Sequence, residues 1–398
     1  LAAEAGLRVV LAARGTPWDR ESADEHVRGL ASSMTAILPE THAPLPKELQ
    51  GHVLHPYFGI DVESNTLELE TQAQRFRDGT YDDAYVAVFV GGSVCAITVN
   101  EQHERIRAAL ASDPRLAGRR VEVVNQGRGA FKQPQQATLV VYLLALGWKP
   151  DVIVDVDGFN EVALAQANVE SHVHPLQPMW GRWGLLTAGA ADRGREIQLA
   201  SACVIVQDEA REYAARVLAD GRTRSALLGE FAVRHLTQLQ SRWRAAQERY
   251  VEYLTADPAS RAARGPHFEP EGDAAFRQYV ATWTECSRSL AALCAERGIT
   301  YLHVLQPCQL DPGSKPLTPE EVAVAGAPKP WITGVRAGYP LLREAGAKLA
   351  AEGLPFVDLS RVFEDFRETT YTDMCHFHGR GGERFADAIV AALRARLP

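Results

Sequence analysis

The chain has 398 residues, of which 46% are hydrophobic and 23% are charged, and its formal net charge is −8. This composition is typical of a globular protein and excludes a disordered, collagen-like or membrane-spanning chain. An acidic chain without a Lys/Arg-rich run is not expected to bind nucleic acid, because phosphate binding needs a clustered basic surface. The cysteines are too scattered for a disulfide scaffold or a zinc motif, and they leave a single disulfide open; they stand at positions 95, 203, 286, 294, 308 and 375.

The chain begins at Leu1 rather than at a methionine. Residues 1–13 are mostly apolar, but Glu4 and Arg8 interrupt them and the stretch is too short to span a bilayer. Two interpretations are open: the end of a signal peptide or membrane anchor, or an amphipathic helix. The first implies an extracytoplasmic or membrane-anchored location, which we favour over a cytoplasmic one.

Residues 1–80 show little periodicity and are expected to form an extension packed on a main domain over residues 81–398. From residue 84 onward, strand patterns alternate with helix patterns. Apolar runs predict strands at 85–90, 121–124, 151–156, 300–305 and 355–359, with helices at 101–111 and 135–146. This alternation predicts a parallel sheet with helices on both faces.

No strand pattern stands between the third and fourth predicted strands. Residues 206–256, with a break at Gly221, and residues 273–297 have the composition of helices. We therefore expect a mostly helical insertion over residues 165–297. It is either a cap over the functional site or a structural buttress.

The predicted strand ends carry polar residues, and ligands of open parallel sheets bind at these carboxyl ends. Acyl transfer by a serine needs a histidine to accept the hydroxyl proton and an acid to orient that histidine. It also needs N–H donors for the oxyanion of the tetrahedral intermediate. Segments that offer such groups are Gly91-Gly92-Ser93, Asn125–Gly129, Gly158-Phe159-Asn160 and, near the C-terminus, Asp373-Met374-Cys375-His376.

In this order, the four segments resemble the sequence blocks of the SGNH hydrolase superfamily, the GDSL-type esterases and lipases. The resemblance covers residues 84–164 and 298–398. It implies Ser93 as the nucleophile, His376 as the general base and Asp373 as its orienting acid.

The resemblance also implies an oxyanion hole formed by the N–H groups of Ser93 and Gly129 and by the side-chain amide of Asn160. Gly127 is the alternative to Gly129. The chain departs from the family pattern at Gly92, where the family usually has aspartate.

We therefore expect an α/β fold: a three-layer α/β/α sandwich, flavodoxin-like, with five parallel strands in the order 2-1-3-4-5 and a large helical insertion after strand 3. The implied activity is serine-dependent hydrolysis of an O-acyl ester, carried by a small molecule, glycan or lipid, with no metal or organic cofactor. Three alternatives remain open: an O-acyltransferase that uses an alcohol as acceptor, an inactive binding module, or a scaffold for the insertion. The sequence does not indicate an oligomeric state.

Other motifs are weaker. The α/β-hydrolase motif Gly-x-Ser-x-Gly is excluded, because Cys95 stands at its last glycine. Gly127-Arg128-Gly129 begins a dinucleotide fingerprint, but Lys132 stands at the third glycine position. Cys375, His376 and His378 cluster as metal ligands do, yet no further residues have ligand spacing, and we expect no metal site.

Aromatic residues follow the third segment closely. They are candidates for the walls of a substrate cleft, or they pack within the core or the insertion. These residues are His172, His174, Trp180 and Trp183.

Overall fold

A computed structural model describes residues 2–34, 51–187, 194–256, 265–266 and 268–397. Residues 35–50 of the predicted N-terminal extension, and residues 188–193 and 257–264 of the predicted insertion, lie outside these ranges. The chain divides into two compact units. The helical unit comprises Leu1–Pro44 and Thr187–Ala263, and the sheet unit comprises Leu45–Leu186 and Arg264–Pro398.

The strands are β1 (His52–His55), β2 (Gly59–Val62), β3 (Ala84–Gly91), β4 (Arg120–Gly127), β5 (Val152–Asp157), β6 (Thr300–Leu305) and β7 (Phe356–Asp358). The helices are α1 (Ala2–Ala13), α2 (Arg20–Ser32), α3 (Glu63–Arg77), α4 (Ser93–Ala111), α5 (Gln135–Ala145), α6 (Phe159–Glu170), α7 (Trp180–Thr187), α8 (Gly194–Ala219), α9 (Ala226–Ala256), α10 (Gly272–Glu296), α11 (Pro319–Val324), α12 (Lys329–Ala351) and α13 (Gly379–Arg394).

A five-stranded parallel sheet forms the centre of the sheet unit. Its strand order is β4-β3-β5-β6-β7, which is 2-1-3-4-5 when these strands alone are counted along the chain. β1 and β2 form a separate antiparallel pair. The α/β class with a parallel five-stranded sheet is thus confirmed.

Strand β3 shows why helices cover both faces of this sheet. All its residues are buried, as expected of an inner parallel strand. Tyr85 and Phe89 pack in a core with α4 and α13, whereas Val86 and Val88 pack in a second core with α3, α5 and α10. Because successive side chains of a strand point to opposite faces, the two cores lie on opposite sides of the sheet. The sheet unit therefore has three layers.

The observed units differ from the predicted domain boundaries. In the helical unit, Val27 and Met34 pack against Val206 and Leu236, so that residues 1–44 group with helices of the predicted insertion. Residues 45–80 group with the sheet instead. Helix α10 also belongs to the sheet unit, since its Trp283 packs in a core with α6 and α12. The two compact units thus divide the chain at other positions than residues 80 and 297.

Glu4 of α1 caps the N-terminal end of α9. Its carboxylate accepts the backbone N–H groups of Ala226, at 2.8 Å, and Leu227, at 2.9 Å, and the hydroxyl of Ser225. These hydrogen bonds lower the pKa of Glu4 to about 2. A carboxylate in this position satisfies N–H groups that have no partner within the helix.

Two further observations bear on the sequence analysis. Within the described ranges, every helix is too short or too polar to cross a lipid bilayer. The six cysteines are all free thiols, and five of them are buried.

Candidate active site

Ser93 stands where β3 passes into α4. The strand ends at Gly91, whose φ of 149° suits glycine, and a Cβ at this position would meet the carbonyl oxygen of Val156 on β5. Ser93 is the first residue of α4 and is partly buried. The first N–H groups of a helix have no partner within it, so this end of α4 offers donors to a ligand.

His376 and Asp373 complete a hydrogen-bonded chain with Ser93. Ser93 Oγ lies 2.7 Å from His376 Nε2, and His376 Nδ1 lies 2.6 Å from Asp373 Oδ2. An Nδ1–H that donates to the carboxylate leaves Nε2 free to accept the serine hydroxyl proton. The three side chains are thus arranged for nucleophilic catalysis.

The turn that carries Asp373 also fixes its carboxylate. Asp373 Oδ1 accepts the backbone N–H groups of Cys375 and His376, each at 2.8 Å. Partial burial by itself would raise the pKa of Asp373, but these bonds and the one from the His376 ring lower that pKa to about 2. Asp373 is therefore ionised at neutral pH.

Asn160 lies against the Ser93 turn. Its Nδ2 donates one hydrogen bond to the carbonyl of Phe131 at 2.7 Å, which leaves a second N–H for another acceptor. A Cβ on Gly92 would stand 2.6 Å from this nitrogen. Glycine at position 92, the departure from the family pattern, therefore gives the amide its space.

The structure distinguishes Gly127 from Gly129. The N–H of Gly127 donates to Asn125 Oδ1 at 3.0 Å, and a Cβ on Gly127 would stand 2.5 Å from the backbone nitrogen of Ala96. Gly127 thus allows β4 to pack against α4. The N–H of Gly129 has no acceptor among the described residues, and this residue is exposed. Gly129 is accordingly the glycine whose N–H is available to an oxyanion.

Glu161 joins the two loops that carry these donors. Its Oε2 accepts the N–H of Gly158 at 2.7 Å, and its Oε1 accepts the N–H of Gln133 at 3.0 Å. Burial, with the nearby carboxylate of Asp157, raises the pKa of Glu161. The bonds hold the Asn160 turn to the loop that follows β4.

A buried polar cluster lies behind this turn. Asp157 Oδ1 accepts hydrogen bonds from Trp283 Nε1, at 2.7 Å, and His303 Nε2, at 2.9 Å. Burial alone would lower the pKa of His303, but the charge of Asp157 raises it. Burial also raises the pKa of Asp155. The sequence analysis missed this cluster, although two aspartates at alternate positions of an apolar strand were a signal for it.

Among the described residues, two groups of side chains place candidate metal ligands within 4.8 Å of one another: Asp155, Asp157 and His303, and Asp373, Cys375 and His376. The hydrogen bonds account for both groups. His303 Nδ1 pairs with Ser287, and both ring nitrogens of His376 already have partners. His378, considered as a third ligand beside Cys375, instead pairs with Glu101. Burial raises the pKa of the Cys375 thiol, which disfavours a thiolate ligand.

The aromatic residues proposed as cleft walls lie in the segment that leads into α7. His172 is exposed, and His174 is partly buried, with its ring against the edge of Phe268. Trp180 and Trp183 are partly buried on α7. The role of these four side chains as walls of a substrate cleft stays a prediction.

A polar cavity of about 510 Å³ opens beside the end of β4 and reaches Gly129. Residues of α3, α4 and β4 form its walls. Its polar side chains include Asn65, Glu68, Gln72, Arg75, Asn100 and Asn125. Its volume lies in the range of about 300–1,000 Å³ that is common for small-molecule sites.

Arg182 and Arg128 are two further residues at the Gly129 loop that the sequence analysis did not single out. Arg182 Nη1 donates to the carbonyl of Gly129 at 3.0 Å. Arg128 forms an ion pair with Asp61 at 2.9 Å, with 5% and 0% of the two side chains exposed. Only the tertiary fold brings these partners together.

No protein-family model and no curated protein matches the chain. Solved structures similar to it include an acetyl xylan esterase (11% identity, TM-score 0.36, covering 77% of this chain and 99% of that one). A lipase/acylhydrolase from Enterococcus faecalis has 15% identity and a TM-score of 0.34, with coverage of 79% and 97%. A GDSL-like lipase from Bacteroides thetaiotaomicron has 11% identity and a TM-score of 0.34, with coverage of 82% and 100%. TM-scores this low identify neither a fold nor an activity.

Proposed function

We propose that this chain is a serine ester hydrolase of the SGNH type. The observation that carries the proposal is the continuous hydrogen-bonded chain from Ser93 through His376 to Asp373. A serine hydroxyl is a weak nucleophile unless a base removes its proton, and this arrangement supplies that base. The hydrogen bonds to Asp373 hold the imidazole in the tautomer that the reaction needs.

The reaction proceeds in two steps. Ser93 Oγ attacks the ester carbonyl while His376 Nε2 takes the hydroxyl proton, and the proton then passes to the departing alkoxide. The resulting acyl-enzyme is hydrolysed by a water that His376 deprotonates in turn. The N–H groups of Ser93 and Gly129 and the Asn160 amide stabilise the negative oxygen of each tetrahedral intermediate.

The polar cavity beside Gly129 supports an O-acylated carbohydrate as the substrate class. Amide, carboxylate and guanidinium groups line it, and such groups form good hydrogen bonds with hydroxyl groups.

The same triad can also transfer the acyl group to an alcohol instead of water. Product analysis with and without an added sugar acceptor separates hydrolysis from transfer.

Labelling with a fluorophosphonate tests the proposal, because this reagent reacts with activated serine hydroxyls. We expect stoichiometric labelling of the intact chain and none of Ser93→Ala. The control Ser241→Ala, at an exposed position of α9, should label as fully as the unaltered chain. A folded chain that does not react at all would overturn the proposal.

A further inference from the structure

Arg182 lies beside the proposed oxyanion hole, yet ester hydrolysis as proposed does not use it. Its Nη1 stands 3.0 Å from the carbonyl oxygen of Gly129. Gly91 at the end of β3 is paired with Gly127 at the end of β4. Ser93 comes two residues after Gly91, and Gly129 comes two residues after Gly127, so both follow the same end of the sheet. The guanidinium is thus placed at the same edge of the sheet as the nucleophile.

The charge of Arg182 has no counterpart among the described residues. Its side chain is partly buried, and no carboxylate within the described ranges pairs with it. Burial lowers the pKa of Arg182, and no acidic neighbour opposes this effect. Arg128, on the same loop as Gly129, has Asp61 as its partner. A guanidinium has five N–H groups, and Gly129 uses one of them, so most of the donors remain for a ligand.

The position of Arg182 is fixed by the segment that precedes it. Asn168 of α6 is buried; its Nδ2 donates to the carbonyl of Gln177 at 2.9 Å, and its Oδ1 accepts the N–H of Trp180 at 3.1 Å. Lys132 also donates to the carbonyl of Gln177. Since α6 carries Asn160 and Lys132 follows Gly129, the start of α7 is tied to both loops of the site. Arg182 is consequently held in place before any ligand binds, which favours specific recognition.

We propose that Arg182 binds a carboxylate carried by the ester substrate, so that the chain selects anionic esters over neutral ones. The inference rests on the proposed ester hydrolysis and adds the charge of its substrate. A guanidinium matches a carboxylate with two parallel hydrogen bonds, and partial burial strengthens such a pair. The charge beside Gly129, which has no acidic partner in the part of the chain that the structure describes, distinguishes this binding role from ordinary surface charge.

The test uses two pairs of esters in which one member carries a carboxylate and the other carries its methyl ester. Para-acetoxybenzoate places the charge on the alcohol side, and the para-nitrophenyl monoester of succinate places it on the acyl side. For each pair, the ratio of kcat/KM values is measured with the intact chain, Arg182→Gln and Arg182→Lys. Arg336→Gln removes the same charge from an exposed position of α12 and is the control.

We expect the intact chain and Arg336→Gln to prefer the charged member of one pair by about tenfold, the effect of one charge-assisted hydrogen-bonded pair. Arg182→Gln should bring this ratio close to one, and Arg182→Lys should leave it in between. No preference in the intact chain, or a preference that survives Arg182→Gln, overturns the inference. An equal loss of kcat on both members also overturns it, because Arg182 would then only position Gly129. Failure of the proposed ester hydrolysis can be distinguished from failure of this inference, because in that case no ester would be cleaved and the chain would not react with a fluorophosphonate.

Discussion

The residue at position 92 determines how much space the Asn160 amide has in the candidate site. The Asn160 amide occupies the space that a side chain at position 92 would enter. The backbone at Gly92, with φ −83° and ψ −162°, is open to any residue, so glycine is needed here for space and not for conformation. The amide and the serine turn are thus fitted to each other.

We predict that Gly92→Ala lowers kcat by about 10²-fold with a smaller change in KM. The added methyl group displaces the Asn160 amide, and loss of one oxyanion donor has an effect of about this size. Steady-state kinetics on a para-nitrophenyl ester measures the change. Gly326→Ala, where an added Cβ meets nothing within 4 Å, should leave the kinetics unchanged. Equal rates for Gly92→Ala and the intact chain would contradict the assignment of Asn160.

At the scale of elements, the loop between β4 and α5 is held mainly by polar groups that are buried. Lys132 in this loop is 1% exposed, and its ammonium donates to the carbonyl of Gln177. Burial lowers the pKa of Lys132 to about 7, against the opposing effect of Glu161. Asn168 donates to the same carbonyl, so Gln177 keeps a hydrogen-bond donor when the lysine is removed.

We predict that Lys132→Met stabilises the chain most at acid pH. Between about pH 7 and 10.5 the unfolded lysine binds a proton that the folded one does not, so the stability of the intact chain rises with pH in this window. Below pH 7 the folded chain holds a buried ammonium, which methionine replaces with an apolar group of similar length. Urea unfolding at pH 6 and pH 9 should therefore show a larger gain at pH 6.

Lys348→Met is the control for this measurement, because Lys348 is exposed and pairs with Glu344 on the surface of α12. Its effect on the free energy of unfolding should be small at both pH values. A gain for Lys132→Met that is the same at pH 6 and pH 9 would show that Lys132 stays protonated in the folded chain at both pH values, so that burial does not lower its pKa.

On the scale of the whole molecule, the helical unit and the sheet unit have separate apolar cores within the described ranges. Leu236 of α9 is fully buried with α2 and α8, and Leu302 of β6 is fully buried between the sheet and α13. Each unit therefore has its own source of stability, because burial of apolar surface is the main favourable term in folding.

We predict that Leu236→Ala and Leu302→Ala affect different transitions. Each substitution should lower the stability of its own unit by about 2–5 kcal/mol, as is usual for a buried leucine. Urea unfolding is followed by circular dichroism for helix content and by fluorophosphonate labelling for the state of Ser93. Leu302→Ala should abolish labelling at a lower urea concentration, and Leu236→Ala should not. Identical shifts of both signals in both variants would mean that the chain unfolds as one unit.

Local sequence patterns predict the parts of this fold that depend on local chemistry. An apolar run that ends in Gly91 marks β3, and the spacing of Asp373 and His376 places both on one turn. Long-range partners leave no such pattern: the grouping of Met34 with Leu236 and the pairing of Asp61 with Arg128 depend on the tertiary fold. No local pattern indicates a role for Arg182 either. An isolated arginine between two tryptophans predicts nothing until its contact with Gly129 is known.

The hydrogen bond between Ser93 and His376 joins residues that are 283 positions apart in the chain. During synthesis from the N-terminus, Ser93, strand β3 and Gly129 all leave the ribosome before His376 has been added to the chain. A chain that stops before residue 373 therefore carries Ser93 without His376. Such a fragment has an ordinary serine hydroxyl at position 93, so the proposed reactivity towards esters arises only after His376 has been synthesised.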